Sequence, residues 1–113
     1  MLNLDGRLMY VSCSAERGVV GSDTRIFFTQ KGTRVLGRYR GGSVERGCLV
    51  GTVTGATLLF RYVQKEASGE LHAGSSICEL KQLEDGRIRV LEHFRWSTRD
   101  GQGTNVFDEV SGD

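Results

Sequence analysis

Arg87-Ile88-Arg89-Val90-Leu91-Glu92-His93-Phe94-Arg95-Trp96 is the stretch that decides the fold. Ile88, Val90, Glu92, Phe94 and Trp96 share one side of an extended chain, and Arg87, Arg89, Leu91, His93 and Arg95 share the other. A period of two with one apolar series reads as a strand with a buried face and a mostly wet face. Glu92 interrupts the apolar series. It is the polar anchor of an interior site, one half of an ion pair with Arg61 or another arginine, a residue near the barrel mouth, or an accident of register.

Turn signals recur on both sides of this strand. They are Asp5-Gly6, Arg17-Gly18, Gly21-Ser22-Asp23, Lys31-Gly32, Gly41-Gly42, Gly55, Ser68-Gly69, Asp85-Gly86 and Asp100-Gly101-Gln102-Gly103. Strands are expected over 7–14, 24–30, 33–40, 43–54, 57–65, 70–83, 87–96 and 105–110, with a polar turn over 99–104. Val35 and Tyr39 point inward with Gly37 between them, against a wet face of Arg34, Arg38 and Arg40. Leu58, Phe60 and Tyr62 form one face of their strand, and Leu59, Arg61 and Val63 the other. In 70–83 the series His72, Gly74, Ser76, Cys78 and Leu80 is small and partly polar, which suits either a cavity wall or a closely packed neighbour. The inner face of 7–14 stays open because both of its sides are fairly apolar, and that of 43–54 because a bulge would exchange its parity. Val19-Val20 is expected to cap one end of the core, and the tail 111–113 to be loose.

No stretch has a useful helical period. The expected fold is all-β: one domain over 1–113, a small antiparallel up-and-down barrel of about eight strands, lipocalin-like, with a two-sheet sandwich as the alternative. Sixteen Gly and no Pro suit a closed sheet in which backbone N–H groups are needed for pairing. The formal net charge of +1 provides no global field toward nucleic acid or a membrane. Cys13, Cys48 and Cys78 are odd in number and widely spaced, which suits a reducing compartment. The N-terminus shows no apolar signal core, and no apolar run is long enough to span a bilayer. A cytoplasmic protein is expected.

Five pieces, in order, resemble a known family. They are Tyr39-x-Gly41-Gly42-x-Val44, Gly47-x-Leu49-Val50-Gly51, Leu58 with Arg61-Tyr62, Gly86-Arg87-Ile88-Arg89-Val90, and Glu92 with Trp96 ahead of the Gly-rich turn. The pattern is similar to small bacterial proteins often labelled N-acetylglutamate synthase. The resemblance implies a small calycin-like barrel. Phe94 stands where Trp is more usual in that pattern, and the expected Pro after Cys78 is missing. An acetyl-CoA site of the usual kind needs a helix N-terminus after a strand. Arg38-Tyr39-Arg40-Gly41-Gly42-Ser43 instead reads as a hairpin running into a strand.

Candidate ligand-binding residues are Tyr39, Phe60, Arg61, Tyr62, Cys78, Glu92, Phe94 and Trp96. Aromatic walls with a few polar tips are what small-molecule sites look like, and the alternative is that the same rings are simply core. Arg61 is paired with Glu92 as a contact that fails if Tyr62 faces inward. Cys13, Cys48, Cys78, His72 and His93 lack metal-ligand spacing, so no metal, cofactor or catalytic group is assigned. The arginines at 34, 38, 40, 87, 89, 95 and 99 read as a solvated face balanced by acids. The expected function is binding of a small, mostly apolar molecule inside the barrel, with no nucleic acid or membrane partner, as monomer or homodimer. The alternatives are a filled-core interaction protein acting as a homodimer, and the acetyltransferase of the family label.

Overall fold

The structure, a computed structural model, describes residues 2–16 and 18–111. Eight strands follow one another: β1 Arg7–Cys13, β2 Arg25–Lys31, β3 Arg34–Gly41, β4 Val44–Thr54, β5 Thr57–Glu66, β6 Leu71–Gln82, β7 Ile88–Trp96 and β8 Gln102–Glu109. Each pairs antiparallel with the next, and β8 pairs with β1 to close the barrel. Closure removes every sheet edge, so the up-and-down barrel holds and the sandwich does not.

Turn chemistry explains the connections. Gly6, Gly32, Gly41, Gly42, Gly55, Gly69, Gly86 and Gly101 all have positive φ. Gly41-Gly42 makes the β3–β4 hairpin turn. The β1–β2 loop packs against that turn, so a Cβ on Gly42 would lie 2.6 Å from the Val19 carbonyl oxygen. Both conformation and space therefore require glycine there. The expected Arg17-Gly18 turn and the end of the tail at 112–113 lie partly outside the described residues.

The faces left open are now fixed. In β1, Met9 and Val11 are buried. In β4 a bulge between Val44 and Arg46 shifts the parity, so that Val44 and then Gly47, Leu49 and Val53 turn inward. One correction concerns β8. The expected turn over 99–104 is shorter, because Gln102 pairs with Arg95 and Thr104 with His93. The polar residues Gln102 and Thr104 occupy the wet face, and Gly103 lies inward below the Phe94 ring, so nothing in their side chains announces a strand.

The two ends of the interior differ. Leu58, Val35, Val53, Leu80, Ile88 and Val90 fill one end, and Leu4 plugs it with its backbone N–H on Gln30 Oε1 at 2.9 Å. Tyr39, Phe60, Tyr62, Phe94 and Trp96 occupy the other end. Inward-facing glycines make room for these large side chains. A Cβ on Gly47 would collide with the Tyr39 ring, and one on Gly74 with Tyr62 Oη. Gly37 and Gly103 seat Leu49 and Phe94 in the same way, each 2.9 Å from a would-be Cβ. The glycines within strands are thus packing residues, set across from the barrel's bulkiest groups.

Candidate functional site

The site is a cavity of about 40 Å³ at the aromatic end. Ile26, Tyr39, Leu49, Phe60, Tyr62, Phe94, Trp96 and Phe107 supply its rings and aliphatic walls. Gln64, Glu92 and Asn105 supply the polar groups, and Val19 and Val20 come over from the β1–β2 loop. The rings are packed edge to face: Tyr62 against Trp96 with centroids 5.3 Å apart, Phe94 against Trp96 at 5.9 Å, and Phe60 against Tyr62 at 6.0 Å. That geometry sets positive ring edges against negative faces and makes a stiff wall.

Glu92 lies at the boundary between this cavity and the filled end. Its residue is 6% exposed. Ser76 Oγ donates to Oε2 at 2.6 Å and Asn105 Nδ2 donates to Oε1 at 3.0 Å. No cation among the described residues pairs with it. Burial therefore pushes its acid strength down, raising the pKa above the usual carboxylate range, and the two hydrogen bonds pull back less strongly. A neutral Glu92 keeps both contacts, since its own O–H can donate to the Ser76 hydroxyl while Oε1 still accepts from Asn105.

Asn105 cannot turn its amide round. Its Oδ1 accepts the backbone N–H of Ala15 at 2.8 Å, which leaves Nδ2 for Glu92. The Ala15 contact also ties the β1–β2 loop to the barrel wall. Ser43 N–H donating to the Val19 carbonyl at 2.9 Å and Gly42 N–H donating to Asp23 Oδ1 at 3.0 Å hold the same loop.

A second polar chain runs along the rim. Tyr39 Oη donates to Gln64 Oε1 at 2.8 Å, Gln64 Nε2 donates to Glu66 Oε2 at 2.8 Å, and Arg99 donates to Glu66 Oε1 at 2.7 Å. The Arg99 guanidinium lies over the Trp96 ring at 4.6 Å, a cation–π contact at the mouth. Burial, with Glu92 as a second cause, pushes the Tyr39 and Tyr62 phenols up, so both stay protonated donors. Tyr39 uses its proton. Tyr62 Oη is buried and has no hydrogen-bond partner among the described residues.

Of the candidates read from the sequence, Tyr39, Phe60, Tyr62, Glu92, Phe94 and Trp96 line this one cavity. Cys78 is fully buried directly across from Glu92 in the β6–β7 register, yet it does not border the cavity. Arg61 is a correction. Tyr62 is buried, so Arg61 sits on the outer face of β5, and the Arg61–Glu92 contact does not form. Gln64 and Asn105 were missed. Both follow from alternation: Gln64 continues the Phe60 and Tyr62 face, and Asn105 shares the face of Phe107. Glu66, Glu70 and His72 bring one ligand atom each to within 4.8 Å of one another at the rim. Both Glu66 oxygens are already bound by Gln64 and Arg99, which makes this an ion-pair cluster.

The model of the avidin-like protein family matches residues 2–110. The chain is an avidin-like protein. The calycin-like barrel implied by the sequence resemblance is therefore the fold observed, and the avidin-like match spans all eight of its strands. No curated protein and no solved structure matches the chain. In this avidin-like barrel the aromatic end is a concave, partly polar feature of the interior.

Proposed function

We propose that the protein is a binding module that holds a small, mostly apolar molecule at the aromatic end of the barrel. The observation that carries this reading is the buried, unpartnered hydroxyl of Tyr62, a residue of the ring-lined cavity whose other buried polar groups are satisfied. An unpaired buried donor costs about 1–3 kcal/mol, a cost that a ligand acceptor would remove. Apolar walls supply affinity and a few fixed polar groups supply orientation. Membership of the avidin-like family, whose barrels typically bind small ligands, supports the same reading.

The ligand takes three features from the site. It presents a hydrogen-bond acceptor to Tyr62. It is neutral where it meets Glu92, because a buried anion beside a second carboxyl is disfavoured. It displaces the Val19-Val20 segment, since a cavity of about 40 Å³ has room for little more than water-sized groups. The loop that carries these valines is held to the barrel through Ala15, Val19 and Asp23.

A thermal-shift screen with fatty acids, aromatic acids, isoprenoids and neutral amides tests the proposal. At least one class is expected to raise the melting temperature of the wild type and to lose most of that effect in Tyr62→Phe. Absence of stabilisation by every class would overturn it. Incubation with acetyl-CoA and glutamate addresses the family label directly, and no release of free CoA is expected.

A further inference from the structure

The outer face of β1–β6 is organised by the sheet register into two rows that cross the strands. One row is Leu8, Phe27, Arg38, Cys48 and Val63, each paired with the next on the neighbouring strand. The second row lies two residues along each strand. It comprises Arg25 paired with Arg40, and Arg46 paired with Lys65, with Leu71 next to Lys65. The first row is mostly apolar and the second is mostly cationic. Val63 is 46% exposed and Leu71 67% exposed, so the apolar surface is open to solvent. Bulges at Tyr39/Gly41 and Val44/Arg46 bend β3 and β4, and the two rows lie in a groove.

Charge is segregated here in a way that the net charge conceals. Within β2–β5 the acids are Glu45 and the rim's Glu66. Glu45 pairs with Lys65 at 3.2 Å, while Arg38, Arg40 and Arg46 take part in none of the ion pairs among the described residues. A formal +1 for the whole chain thus hides a local basic field beside exposed apolar side chains.

We propose that this groove docks an acidic amphipathic polypeptide segment, its apolar side on the Leu8–Phe27–Val63 row and its carboxylates on Arg40, Arg46 and Arg38. Guanidinium groups match carboxylates in paired hydrogen bonds. Adjacent strands are about 4.8 Å apart, so a row crossing five of them spans about 19 Å, the length of about three and a half helical turns. Other occupants fit less well. A second copy using the same face would set cations against cations across a twofold axis. Single-stranded nucleic acid wants aromatic platforms, and Phe27 is the one aromatic side chain in the row, while Tyr10 lies under Arg25. A bilayer is flat where this surface is concave.

Fluorescence anisotropy on the full chain tests the proposal with four probes. They are a labelled synthetic Leu/Glu amphipathic helix of about four turns, its Leu/Lys counterpart, oligo(dT), and phosphatidylserine vesicles. The Leu/Glu helix is expected to bind, to weaken with salt, and to weaken at least about tenfold in Arg40→Glu combined with Arg46→Glu. Phe27→Ser should also weaken it, and Lys81→Glu, at the opposite end of β6 from Leu71, should not. All of these side chains are at the surface, so an unchanged far-ultraviolet spectrum and melting temperature certify the fold. The proposal is overturned if oligo(dT) or vesicles bind and the Leu/Glu helix does not. It is equally overturned if the charge-reversed variant binds the helix as well as wild type, or if no probe binds.

Discussion

Asn105 donates to Glu92 at 3.0 Å while accepting the Ala15 N–H at 2.8 Å, so one amide joins the buried acid of the barrel to the loop across its mouth. Loop position and interior polarity are therefore coupled through a single side chain. Asn105→Ala leaves a buried carboxyl oxygen and a backbone N–H without partners. A loss of about 2–4 kcal/mol is expected by urea denaturation, together with faster amide exchange at Ala15 and its loop neighbours.

Glu92 sets the pH dependence. Its folded pKa is raised above the ordinary 4.5 by burial, so the folded protein holds this proton more tightly than the unfolded chain. Stability from this group is fully present below the unfolded value. It is lost as pH rises toward the folded pKa, by about 1.4 kcal/mol per pH unit in that window. Glu92→Gln keeps both hydrogen bonds as a neutral amide. Urea midpoints measured from pH 5 to pH 9 should fall for wild type and stay flatter for the variant, which is the more stable of the two at the alkaline end.

Two tyrosines facing one cavity should respond oppositely. Tyr39→Phe breaks the 2.8 Å bond to Gln64 and costs about 0.5–1.5 kcal/mol. Tyr62→Phe removes a hydroxyl with no partner, and the unliganded barrel should be as stable or slightly more stable. Paired denaturation curves of the two variants check this.

Gly47 seats the Tyr39 ring. Gly47→Ala drives a Cβ into that ring and should cost about 1–3 kcal/mol. Gly47→Ala in a Tyr39→Leu background, where the ring is gone, should cost less than in wild type, as a double-mutant cycle would record.

Thiol chemistry offers a check on the interior. Cys13 and Cys48 are exposed, whereas Cys78 is buried and burial pushes its thiol pKa up. Titration with an aromatic disulfide reagent should modify Cys13 and Cys48 in the native protein, and Cys78 only in denaturant.

Much of the architecture was legible in the residues. Alternation in 87–96 and 57–65 fixed which side chains face inward, because strand period is a property of the backbone itself. Glycine turns set the hairpin order. Where legibility failed, the side chains carried no signal. The start of β8 is polar and glycine-rich, and its strand character comes from pairing with His93 and Arg95. The parity of β4 depends on a bulge that only the partner strand reveals. The candidate site was partly legible: the rings and Glu92 were found, while Gln64 and Asn105 read as ordinary polar residues.

The sequence by itself determined an all-β chain of hairpins, a buried aromatic series and an acid in an apolar strand, since each follows from local periodicity and turn chemistry. Only the tertiary structure decided that β8 closes on β1, that Glu92 faces Ser76 and Asn105 rather than Arg61, and that cations scattered along β2–β5 gather into one face. Those outcomes depend on register between distant strands, and register is set by the closed barrel as a whole.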